Sequence, residues 1–73
     1  MKIEVLIEDA GTNWAASSAD DVLCGVVSAT APTRRKVIEE FRSALRFHLD
    51  GLRESGREVP VITEFEIREL VAA

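Results

Sequence analysis

Few side chains in this sequence are of a type and spacing that could do chemistry. Carboxylates are the most numerous: Glu4, Glu8 and Asp9 come early, Glu39 and Glu40 midway, and Glu64 and Glu66 late. Acids hold paired metal ions only where several converge on one point. Glu4 and Glu8 instead alternate away from the apolar set Ile3, Val5 and Ile7, and no Asp-x-Glu-like grouping accompanies them. His48 is the single histidine and Cys24 the single cysteine, so a zinc cluster built from these residue types is not expected. Cys24 also lacks a neighbouring histidine or cation to favour its thiolate, and reads as an ordinary loop residue. No catalytic residue, metal site or cofactor follows from this set.

Arg34-Arg35-Lys36 offers a different chemistry. These cations fall at the start of an expected helix, where the macrodipole disfavours each by about 0.3–1 kcal/mol. Two readings stay open: a contact patch for an acidic protein surface or RNA phosphate, or a tolerated, solvated face. Trp14 stands alone among small residues. It is expected to pack beneath the helix and could also anchor an interface.

The elements that must position these residues follow from periodicity. Lys2 to Asp9 alternates with period two, Ile3, Val5 and Ile7 facing one way, which signals a half-buried strand. Leu6 falls on the polar side and suggests that this face is not fully wet. Ala10-Gly11-Thr12-Asn13 supplies a turn, so Trp14 to Ala19 is read as the returning strand. Asp20 to Cys24 is read as a loop and Val26 to Ala31 as a third strand, ended by Pro32. From Thr33, a good N-cap, apolar residues at Val37, Ile38, Phe41, Ala44, Leu45, Leu49 and Leu52 fall on one stripe of a helix reaching about Ser55. His48 lies within that stripe and is expected to bond a strand carbonyl or a neighbouring subunit. Gly56 suits the C′ position, and Pro60 prevents continuation. Beyond it, Val61 to Arg68 is read as a fourth strand with Val61, Phe65 and Ile67 inward. Thr63-x-x-Glu66 leaves a helical alternative open. The expectation is one α+β domain over residues 1–73, of order β-β-β-α-β, with an antiparallel sheet packed by one long helix.

Composition bounds the function. A chain of 73 residues buries only about 60% of its unfolded surface, so its core is thin. Four aromatic residues (Trp14, Phe41, Phe47 and Phe65) leave that core to aliphatic side chains. A homodimer that completes the core is therefore expected. The net charge of −4 argues against unassisted binding to nucleic acid and suits a basic protein partner. One cysteine, no apolar run of membrane-spanning length and acids within the first residues point to a cytoplasmic protein with no membrane association.

Ala44-Leu45-Arg46-Phe47-His48-Leu49-Asp50-Gly51-Leu52 and Glu54-Ser55-Gly56-Arg57-Glu58-Val59-Pro60, set at this distance from Thr33, resemble the HicB-like antitoxin family. The first stretch is similar to that family's helix ending in His-Leu-Glu-Gly-Leu, the second to its Glu-Asp-Gly-Glu-x-x-Pro. The markers are Thr33, His48, Leu49, Gly51, Leu52, Gly56 and Pro60. The resemblance implies a partial RNase H fold and a non-enzymatic antitoxin that covers the catalytic face of a small, HicA-type RNA-cleaving toxin. Contacts are then expected from Trp14, Asp20, Asp21, Arg34, Arg35 and Lys36.

Departures from the pattern are also plain. Leu23-Cys24-Gly25 stands where the family carries Leu-Pro-Gly, and Ala31-Pro32-Thr33-Arg34-Arg35-Lys36-Val37 replaces Gly-Asp/Lys-Thr-x-Glu-Glu-Ala. No DNA-binding segment follows the fourth strand, so DNA binding is not expected of this chain alone. The alternatives are a stand-alone interaction or scaffold domain without a toxin partner, and a residual metal-dependent nuclease using Glu4 or Glu66.

Overall fold

A computed structural model describes residues 1–71 of the chain. Its elements run β1 (Lys2–Asp9), β2 (Trp14–Ser18), β3 (Val27–Ala31), α1 (Arg34–Glu54) and β4 (Glu64–Val71), with a single 3-10 turn at Asp21–Leu23. The α+β class and the element order are those expected. Strand β1 has the limits read from its alternation; β2 stops one residue early and β3 starts one residue late.

One helix packs on one face of a four-stranded sheet of order β3-β2-β1-β4. Ile3, Val5 and Ile7 on β1, Ala16 on β2 and Val27 and Ala31 on β3 all point to that face and are buried. From the helix, Val37, Phe41 and Leu45 close the core. Full burial of each large aliphatic side chain contributes about 1.5–3 kcal/mol. The helix starts and stops where its capping chemistry dictates. Thr33 is extended and its hydroxyl accepts from the Lys36 N–H at 3.1 Å. At the other end the Ser55 hydroxyl donates to the Gly51 carbonyl at 2.8 Å, and Gly56 takes a φ of +82° that a glycine adopts without strain.

The sheet is mixed, which corrects the expected antiparallel arrangement. β1 pairs antiparallel with β2 and β2 with β3, but β4 lies parallel to β1 with Ile3 opposite Phe65 and Val5 opposite Ile67. Connectivity explains this. β3 runs in the direction of β1, the helix carries the chain back, and β4 then leaves in the direction of β3. Parallel strands need such a crossover.

The tail is a strand, but it begins at Glu64 rather than Val61. Residues 57–63 approach it without regular structure, and Val61, expected inward, is 76% exposed. The N-terminus holds this approach in place. The Met1 ammonium donates to the Val61 carbonyl at 3.0 Å, and the Thr63 N–H donates to the Met1 carbonyl at 2.9 Å. Ile67 does face the helix side, yet it remains 40% exposed, because the helix lies closest to β3 and β2. Among the described residues no helix is long and apolar enough to cross a membrane.

Candidate functional site

The residues expected to bind a partner fall at opposite ends of the sheet. Trp14 opens β2 opposite Ala31, the last residue of β3, and α1 begins three residues later, so Trp14 shares an end with Arg34, Arg35 and Lys36. Asp20 and Asp21 follow Ser18, at the far end of β2, about 13 Å away at 3.3 Å per residue. Trp14 is half-buried against the core, as its position beneath the helix start requires.

Each charged member has a definable local role. Arg34 forms an ion pair with Glu69, joining the helix start to β4. Lys36 and Arg35 reach Glu39 at 3.7 and 3.9 Å within the helix, a compensation for cations at the positive end of the dipole. Asp20 caps the 3-10 turn: its carboxylate accepts from the Val22 N–H at 3.1 Å and its carbonyl from the Leu23 N–H at 2.9 Å. Asp21 is exposed.

The family-marker residues serve the architecture. His48 is half-buried, and its Nε2–H donates to the Leu23 carbonyl at 2.5 Å. It therefore ties the helix to the turn between β2 and β3, rather than to a strand carbonyl. Leu49 and Leu52 are half-buried on the same side, while Gly51 is exposed, with open space where a side chain would stand.

The Leu23-Cys24-Gly25 departure has a backbone cause. Cys24 is the one non-glycine described with a left-handed backbone, at φ +54°, and its N–H donates to the Asp21 carbonyl at 3.1 Å. Proline, held near φ −65° and lacking that N–H, could not occupy this position. Cys24 is exposed, and the Arg57 guanidinium lies 3.8 Å from its Sγ.

Glu4 and Glu66 stand closer together than their sequence positions suggested. They are register partners on the sheet face away from the helix, Arg68 pairing with Glu4 at 3.2 Å and Lys2 with Glu66 at 3.7 Å. Such exposed pairs are worth about 0–1 kcal/mol each. Among the described residues no group of three or more His, Cys, Asp or Glu could hold a metal ion.

Two surface depressions flank the helix. Along β4 runs an open groove of about 700 Å³, with Arg42, Arg46 and Arg53 on its helical wall and Leu45, Leu49, Ile62, Phe65 and Ile67 beneath. Arg42 lies over the Phe65 ring at 5.4 Å, and Phe65 meets Phe41 edge-on at 5.5 Å. A second hollow of about 440 Å³ beside β3 is lined by Val27, Ala44, Phe47 and Leu52, among others. Phe47 is 83% exposed and Val26, at its rim, 66%. The groove along β4 was not read from the sequence. A signal was present: Arg35, Arg42, Arg46 and Arg53 follow steps of seven, four and seven, which place them within about 40° of one another around a helix. Comparison with known protein families, curated proteins and solved structures finds no match to this chain.

Proposed function

We propose that this chain is an antitoxin-like binding protein that neutralises a small, HicA-type RNA-cleaving toxin by covering its catalytic face, without catalysing a reaction itself. The observation that carries the reading is that the β-β-β-α-β order accommodates the marker residues in mutually consistent roles. Thr33 starts the helix, His48 ties it to the β2–β3 connection, and Gly56 ends it. Net charge supports a basic, RNA-binding partner. Trp14 and the Arg34-Arg35-Lys36 turn would supply one contact region, and Asp21 with the Asp20 turn another. Self-association belongs to the same reading, because Phe47 and Val26 form an exposed apolar patch beside the unpaired edge of β3.

Co-expression of this chain with the product of any small gene adjacent to its own tests the proposal. Stable co-purification, with rescue of cells arrested by that product, is the expected outcome. Purified protein that neither binds the product nor restores growth would sink it. A stand-alone interaction domain is the second reading, and the left-handed Cys24 favours it, since the β2–β3 connection cannot follow a Leu-Pro-Gly path. That reading expects normal folding and self-association with no toxin rescue.

A further inference from the structure

We infer that the groove between α1 and β4 is a docking site for an extended, acidic segment of another protein, which adds to the free edge of β4 as a fifth strand. Among the described residues β4 ends the sheet, so one side of its backbone presents unpaired N–H and C=O groups in strand geometry. The adjoining floor, formed by Leu49, Ile62, Phe65 and Ile67, would take alternate apolar side chains of an added strand. Above it stands the arginine flank of the helix. Among the described residues neither Arg42 nor Arg46 has a carboxylate within ion-pair distance, whereas Arg53 is held by Asp50 at 3.1 Å. Two unpaired guanidinium groups beside an apolar floor and a strand edge fit glutamate or aspartate alternating with aliphatic residues.

The same features select against other occupants. RNA, which has no peptide backbone to pair with β4, would leave the strand edge unpaired. A second copy pairing β4 with β4 about a twofold axis would bring two arginine flanks together across the junction, a like-charge cost. The inference does not rest on the toxin reading, since the segment sought is acidic and the probe below contains no toxin.

The test uses the full chain and two acetylated octapeptides, one alternating glutamate with valine and one alternating lysine with valine. The glutamate peptide should bind saturably, and amide resonances should shift along β4 and the second half of α1. Added salt should weaken it. Arg46 makes no hydrogen bond or ion pair among the described residues, and Arg46→Glu should lower affinity about tenfold through loss of one charge-assisted contact. Arg57→Glu, beside Cys24 and outside the groove, should leave affinity unchanged. Equal binding of the lysine peptide would overturn the inference, as would shifts confined to the β3 edge or no saturable binding. Tighter binding of a uridine octamer in the same groove, or a dimer joined through β4, would overturn it too.

Discussion

At the scale of single residues, the backbone around Cys24 sets what the connection between β2 and β3 can be. Its left-handed φ costs an ordinary L-residue roughly 1–2 kcal/mol. Glycine would remove that strain at the expense of a more disordered unfolded chain. Cys24→Gly should therefore leave the unfolding free energy within about 1 kcal/mol of the parent. Cys24→Pro, which restores the family-like Leu-Pro-Gly, should cost about 3 kcal/mol or more, because it forbids the φ and removes the N–H that donates to Asp21. Urea denaturation of both variants checks this, and a stable proline variant would show that the connection can take another path. His48 depends on the same turn. Its acceptor, the Leu23 carbonyl, belongs to a residue that is itself fully buried, so His48 has an architectural role in this fold.

At the scale of elements, the helix and β4 are held with unequal strength. Phe41 is buried at the centre of the helix face and meets the Phe65 ring of β4 edge-on. Phe41→Ala should cost about 3–5 kcal/mol, the usual loss for an aromatic removed from a core. Ile67 lies on the same side of the sheet but is 40% exposed. Its replacement by alanine should cost only about 1 kcal/mol, since little of its surface is withdrawn from water. Thermal melts of the two variants compare them directly; equal losses would mean that β4 is covered after all. The difference arises from where the helix lies, over β3 and β2, and it leaves the groove along β4 open.

At the scale of the whole molecule, the two layers formed by the described residues leave both sheet edges and one sheet face uncovered. The face away from the helix is mostly polar: Ser17, Ser28 and Thr30 are small, and Lys2, Glu4, Glu66 and Arg68 form crossed pairs, while Leu70 is left exposed beside them. Leu6, which raised the expectation of a cover there, is half-buried among them. Exposed large apolar side chains lie elsewhere as well, Phe47 and Val26 beside the hollow at β3 and Val61 on the approach to β4. If the chain self-associates through Phe47 and Val26, Phe47→Glu should shift sedimentation from dimer to monomer with the helical circular dichroism unchanged. A parent protein that is already monomeric at high concentration would remove this part of the proposal.

Local chemistry was enough to locate most elements. The alternation of Ile3, Val5 and Ile7 specified a strand and its buried face, and Thr33, Ser55 and Gly56 marked the ends of the helix, because caps and period act over a few residues. What lay beyond local reach was decided by packing. The direction of β4 depends on how many reversals precede it, and its start depends on the distant Met1 bonding Val61 and Thr63. The partner-binding set was expected from the family resemblance, and the fold divided it between two ends of the sheet. The arginine flank was present in the sequence as a spacing, but it became the wall of a groove only when a strand more than ten residues further along the chain settled beside it. Periodicity says which residues share a face; only tertiary structure says what that face meets.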